Sequence, residues 1–187
     1  GAVVDSNDSA PDAAPFDGGP LPIDCTSPPC AVALTTTLGR NLTDRSEGFC
    51  ALLDDGTVAC WGTNSGGQLG QGSDAGVDEA SPTPLRVEGV GEIVELDHTC
   101  AVTSGGETWC WGTGPFLRTA AATTTEPTPV KLPLPPTKRV AMSFSTACAQ
   151  VEDGIQCWGS NQNGQVAKFG EATLPAVLPP RDIGLPA

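Results

Sequence analysis

Apolar residues in this chain alternate with polar ones over short stretches and are broken by Gly, Pro and Asp. From Phe49 to Gly72 the sequence FCALLDDGTVACWGTNSGGQLGQG sets apolar residues on both sides of an Asp-Gly step and brackets them with two cysteines. It then passes through Trp-Gly into a polar Asn-Gln-Gly loop. The same plan returns at Thr99–Thr113, TCAVTSGGETWCWGT, and at Ala147–Val166, ACAQVEDGIQCWGSNQNGQV. Nowhere does an apolar i, i+3, i+4, i+7 pattern last three turns, so the chain predicts an all-β fold made of short strands.

Register can be tested by arithmetic, because opposed residues of an antiparallel pair have a constant sum of residue numbers. With Cys50 opposite Cys60, Leu52 faces Val58 and Leu53 faces Thr57. That leaves Asp54-Asp55-Gly56 as a loop with glycine in the left-handed position, a standard hairpin closure. In the second repeat Cys100 faces Cys110, Val102 faces Thr108, and Ser104-Gly105-Gly106 turns the chain. The third is one residue shorter: Cys148 against Cys157 places Val151 opposite Gly154 and leaves only Glu152-Asp153, a loop without glycine. A bulge or a shifted register is expected there. Opposed positions at a non-hydrogen-bonded pair lie ~4.5–5.5 Å apart, within reach of a disulfide.

The repeats are linked by proline-punctuated segments, at Ser81–Val87, Glu126–Pro133 and Leu174–Pro180. Proline cannot donate to a ladder, so these read as edge strands. Glu92–Leu96 and Arg139–Met142 read as short strands leading into the next hairpin, and Ala31–Leu34, extended by Thr35–Thr37, opens the first unit. Gly39–Glu47 reads as an inserted loop. Each unit therefore offers four strands, with boundaries near 31–91, 92–137 and 138–187.

The combination Cys-Ala-Leu, Asp-Gly, Cys-Trp-Gly and Asn-x-x-Gly-Gln-Leu-Gly resembles the regulator-of-chromosome-condensation repeat, in the cysteine-stapled form found in secreted bacterial proteins. Cys50–Leu52, Asp55-Gly56, Cys60-Trp61-Gly62 and Asn64–Gly70 carry the likeness in the first unit. Asp153-Gly154, Cys157-Trp158-Gly159, Asn161 and Gly164-Gln165 carry it in the third. The second keeps Cys100–Val102 and Cys110-Trp111-Gly112 but has Thr113-Gly-Pro-Phe-Leu117 where the Asn-Gln-Gly loop belongs. The resemblance implies three four-stranded antiparallel blades of a β-propeller. Closed propellers have at least about four blades, so an open arc, or part of a larger propeller or assembly, is expected. Its exposed edges would be pairing templates. The family's name-giving member acts on a nuclear GTPase and chromatin, a role that an acidic, disulfide-rich chain does not suit.

Charge narrows the partners. The formal net charge is −13, from 22 acidic against 9 basic residues, and the bases are scattered. Such a surface repels phosphate backbones and anionic lipid, so nucleic acid is not expected as a partner. Eight cysteines with a single histidine, His98, argue for disulfides over zinc. Disulfides place the protein outside the cytoplasm, extracellular or at the cell surface. No signal peptide and no run of ~18 apolar residues is present, which reads as a mature or trimmed form without a membrane span.

Residues 1–30 read as a flexible, acidic Pro/Ala/Asp-rich segment. Within it Cys25 and Cys30 either bridge each other across a proline-stiffened loop or reach another chain. No Asp-x-Asp-x-Asp-Gly calcium loop occurs. Asn7 and Asn41 begin glycosylation sequons.

No catalytic constellation is found, and neither a metal nor a cofactor is expected. His98 lacks a thiolate or Ser-His-acid partner, and Asp54-Asp55 and Glu152-Asp153 are explained by turn chemistry. Trp61, Trp111 and Trp158, with Gly62, Gly112 and Gly159, are expected to pack blades. The Asn64–Gln68 and Asn161–Gln165 amides are expected to tie one blade to the next. Trp109 departs from the repeat and faces opposite to Cys110, which makes it the candidate binding residue. The sequence thus points to a non-enzymatic extracellular structural module that self-associates through open sheet edges. The alternative is a secreted ligand-binding or enzyme-inhibitor propeller fragment. Partners would be a second copy or another surface protein; carbohydrate has no specific support.

Overall fold

The computed structural model describes residues 25–40, 43, 48–72, 79–166 and 175–185. The acidic segment before Cys25, both sequon asparagines, and most of the 39–47 insertion lie outside them. Twelve strands form three four-stranded antiparallel sheets, each an up-and-down meander in chain order. Blade 1 is β1 (Ala31–Thr36), β2 (Gly48–Leu53), β3 (Val58–Gly62) and β4 (Ser81–Arg86). Blade 2 is β5 (Ile93–Asp97), β6 (Cys100–Thr103), β7 (Thr108–Gly114) and β8 (Thr124–Lys131). Blade 3 is β9 (Thr137–Met142), β10 (Thr146–Val151), β11 (Gly154–Ser160) and β12 (Val177–Asp182). The all-β, three-blade architecture is the one expected. As expected too, the proline-bearing strands β4, β8 and β12 occupy a sheet edge.

The central hairpins show why these residues form this unit. In blade 1 Cys50 pairs with Cys60 and Leu52 with Val58. Gly56 takes φ 75° at the turn, where its N–H donates to the Leu53 carbonyl at 3.0 Å. Asp55 Oδ1 accepts from the Thr57 N–H at 3.0 Å and hydroxyl at 2.6 Å, and the hydroxyl bond chiefly holds its carboxyl below the usual carboxylate range. Blade 2 repeats the closure, with Gly106 at φ 81°.

Blade 3 departs from expectation. Its Cys148↔Cys157 and Val151↔Gly154 pairing is regular across the hairpin, without bulge or slip. The positive φ that the shorter loop lacks is taken one residue later by Gly154, at 145°. Irregularities fall instead on the outer pairs, at Gln150/Val151 and at Cys157/Gly159.

The cores lie between sheets. Cys50, Leu52, Val58 and Cys60 of blade 1 pack against Ile93, Ala101 and Trp111 of blade 2. Cys100, Val102 and Cys110, on the opposite face of blade 2, pack against Val140, Ala149 and Trp158 of blade 3. Strand alternation therefore gives every blade a tryptophan face and a cystine face. The cystines Cys50–Cys60 and Cys100–Cys110 each span Cα atoms 4.1 Å apart, and Cys148–Cys157 spans 4.0 Å. Cys25 and Cys30 are bonded to each other, which resolves the alternatives the sequence left open.

Stapling a hairpin removes freedom from the unfolded chain, typically worth about 2–4 kcal/mol. Replacing Cys100 and Cys110 together by Ser should cost at least that much in denaturant unfolding, because both positions are fully buried.

Candidate interaction site

A short chain of contacts joins blade 1 to blade 2. The polar loop after β3 closes on itself: Asn64 Oδ1 accepts from the Leu69 N–H at 3.0 Å, and Gln68 Oε1 from the Gly66 N–H at 2.6 Å. This exposes the Gln68 main-chain carbonyl to the next blade, where the Trp111 indole N–H donates to it at 2.9 Å. Gly67 lies on Pro127 of β8, so close that a methyl group there would sit 2.8 Å from the proline Cα. The Gly72 N–H donates to the Pro127 carbonyl at 2.9 Å. At the other end of the blade the Ile93 N–H donates to the Gly56 carbonyl at 2.9 Å.

The joint between blades 2 and 3 has the same parts with one exchange. Trp158 donates to the Pro115 carbonyl at 2.6 Å, and Thr137 to the Gly106 carbonyl at 2.9 Å. Blade 2 lacks the Asn-Gln-Gly loop, and Phe116, 1% exposed, fills the space beside Met142 instead. Where the sequence suggests that Asn and Gln amides tie the blades, Asn64 Oδ1 and Gln68 Oε1 bond within their own loop, and the Gln68 main-chain carbonyl makes the link to Trp111.

Trp61, Trp111 and Trp158 stand at equivalent places, each at a bulge between the third and fourth strands, at Cys60/Gly62, Cys110/Gly112 and Cys157/Gly159. The bulge turns the indole toward the preceding blade. Gly62, Gly112 and Gly159, at φ 102°, 76° and 101°, supply the left-handed backbone that follows it.

Burial separates the three. Trp111 and Trp158 are 0% exposed, whereas Trp61 is only half-buried, stacks on Phe49 with ring centroids 5.8 Å apart, and meets no blade. Leu34 and Leu96 hold equivalent registers opposite Ala51 and Ala101. Leu96 packs into the first joint, while Leu34 is 65% exposed. At the far end Cys50 and Cys100 are 0% and 1% exposed, but Cys148 is only half-buried. The Asn161–Val166 loop repeats the folding of its counterpart, with Asn161 Oδ1 accepting from the Val166 N–H at 3.0 Å and Gln165 Oε1 from the Asn163 N–H at 2.9 Å. Gly164, counterpart of Gly67, has nothing within 4 Å of the place a methyl group would take. Among the described residues, the tryptophan face of blade 1 is therefore uncovered, whereas on the cystine face of blade 3 Cys157, Val166 and Leu178 are buried together and only the Cys148 end is half-buried. No sequence signal marked Leu34 or Phe49 as part of such a face.

The remaining candidates do not join this site. Trp109 lies half-buried on the opposite side from Cys110, and its indole N–H donates to Glu107 Oε2 at 3.2 Å. Lys131 Nζ donates to Glu107 Oε1 at 2.5 Å, and this contact first, the indole second, holds the Glu107 carboxyl below the usual range. His98 follows β5 in the turn before β6, where its N–H donates to Thr35 Oγ1 at 3.1 Å and its ring bonds the Thr36 carbonyl at 2.8 Å, tying blade 2 to blade 1. An apolar groove of about 420 Å³, lined by Pro115, Leu117, Trp158 and Pro179, runs between blades 2 and 3. No cluster of three or more potential metal ligands, and no helix long and apolar enough to cross a membrane, occurs among the described residues.

Comparison with known proteins returns the same unit. The family described as "Regulator of chromosome condensation (RCC1) repeat" matches residues 55–104. The ultraviolet-B receptor UVR8 of Arabidopsis thaliana is 37% identical over 126 residues, 62% of this chain and 28% of the receptor. Human E3 ubiquitin-protein ligase HERC2 is 27% identical over 144 residues, 70% of this chain and 3% of the ligase. The chain thus spans well under two thirds of these relatives. Among solved structures, human WBSCR16 superposes with a TM-score of 0.59 at 19% identity, covering 84% of this chain and 39% of that one. Prp20p from Saccharomyces cerevisiae superposes at 0.57 and 24% identity, covering 81% and 38%.

Two outcomes follow from this geometry. Trp111→Phe should cost about 1–3 kcal/mol of unfolding free energy, since it leaves the Gln68 carbonyl unpaired inside the joint. Trp61→Phe should stay within about 0.5 kcal/mol, because its indole N–H has no partner among the described residues. Separately, Lys131→Ala should raise the Glu107 pKa toward its ordinary value, read by NMR titration of the side-chain carboxyl. A depressed carboxylate pKa contributes stability above the unfolded-state value and loses it as pH falls through the folded one, so the variant should become less sensitive to acid.

Proposed function

We propose, for a chain that belongs to the regulator of chromosome condensation (RCC1) repeat family, a role as a non-enzymatic extracellular structural module. It works by binding protein, and the protein it binds is another copy of itself, through the tryptophan face of blade 1 that the described residues leave uncovered. The observation that carries this reading is the contrast between Trp61 and its counterparts: the same residue at the same bulge is fully buried twice and half-exposed once. A face built to be covered, and not covered, is a docking surface.

The four cystines support an oxidising location outside the cytoplasm or at the cell surface. The net charge of −13 supports a protein partner over nucleic acid. Blade chemistry accounts for the conspicuous side chains without assigning any of them acid–base or nucleophilic work, which supports a binding role.

Sedimentation without reductant tests the reading. The mass should exceed that of one chain and rise with concentration. A folded, strictly monomeric chain at every concentration reached would overturn it.

A further inference from the structure

We propose that the Cys25–Cys30 cystine is a thiol-exchange site, at which an external thiol opens one disulfide of this protein while all three blades stay folded. The proposal is independent of self-association. Exchange needs a thiolate to approach one sulfur in line with the S–S bond, and it needs the departing sulfur to carry charge. The eight cysteines differ on both counts. Cys50, Cys60, Cys100, Cys110 and Cys157 are at most 1% exposed, and the first four lie inside the two joints. Cys148 is half-buried, but attack there would expel Cys157 as an anion among Val166 and Leu178, a costly place for a charge. Cys25 is exposed, as is every residue from it to Pro29, and its partner Cys30 is half-buried.

Opening this bridge leaves the blades held. Its cysteines are 5 apart in sequence, against 9 or 10 for the hairpin staples, and the stabilisation from a cross-link grows with the loop it closes. Cys30 is fixed separately. Its N–H donates to Asp54 Oδ1 at 3.1 Å, and its carbonyl accepts from the Asp54 N–H at 2.9 Å, one residue beyond the Ala31↔Leu53 pair. Strand β1 therefore keeps its place when the sulfurs part. In the step itself an incoming thiolate bonds to Cys25 Sγ, the Cys25–Cys30 bond breaks, and Cys30 leaves as a thiolate that takes a proton from water. The product is a mixed disulfide on Cys25 and a free thiol on Cys30. A second equivalent of thiol releases the external disulfide and leaves both cysteines reduced. The Asp54 carboxylate at Cys30 and the net charge of −13 favour a cationic thiol over an anionic one.

Cysteamine, a cationic thiol, is the probe. The folded chain is treated with increasing cysteamine, free thiols are trapped with N-ethylmaleimide, and both adducts are mapped by peptide mass spectrometry. Cysteamine should appear on Cys25 and the maleimide on Cys30, at concentrations that leave the other six cysteines unlabelled and the circular dichroism unchanged. A chain carrying Cys25→Ser and Cys30→Ser together should fold with the same circular dichroism and take up neither label over that range. Added salt should slow the exchange by screening the attraction between thiol and chain. Label on a blade cysteine at or below the concentration that opens Cys25–Cys30 overturns the proposal, as does a bridge that resists until the blades unfold. Cysteamine found on Cys30 overturns the direction of attack, and a rate indifferent to salt overturns the preference for a cationic thiol.

Discussion

Each four-stranded blade buries side chains on both of its faces, so neither face is satisfied by its own sheet. Everything else in the molecule follows from that demand. Blade 2 has a neighbour on each side, with Trp111 turned to one and Cys100–Cys110 to the other, all at or below 1% exposure. Among the described residues, blade 1 leaves Trp61 half-exposed on its outer face, while the outer face of blade 3 buries Cys157, Val166 and Leu178 in a small cluster of its own. The energetic weight falls on apolar burial of roughly 25 cal/mol per Å² and on one indole hydrogen bond per joint, which is directional and sets the spacing of one blade on the next.

The materials used for this are few. The chain has no tyrosine, five phenylalanines and four tryptophans, so large aromatic side chains cannot fill every layer. Cystines take their place. They are fully buried at both internal joints, where they act as core side chains as well as cross-links. The second blade shows how tolerant the plan is. With the Asn-Gln-Gly loop gone, the Pro115 carbonyl still reaches Trp158, and Phe116 occupies the gap. What persists is the acceptor's position; the residues that present it change.

Much of this could be read from sequence because it is local. Hairpin register follows from cysteine spacing and the turn glycines, and the edge strands from proline. The third hairpin departs from its residue pattern because its glycine lies one place beyond the loop, and φ is not written in the residue order. The joints were harder still. Glutamine suggested side-chain amides, yet the link is the Gln68 main-chain carbonyl, which every residue possesses and no composition reveals. Leu34 resembled any strand leucine. Only its equivalence to Leu96, packed where Leu34 is 65% exposed, marks it as part of an uncovered face.

Self-association through the tryptophan face of blade 1 makes a demand at atomic scale. A structure of the chain in its associated state, by electron cryomicroscopy or crystallography, measures it most directly. It should show Trp61, half-exposed in the single chain, and Leu34, exposed there, buried against an adjacent copy. Copies joined with Trp61 left in solvent would contradict it.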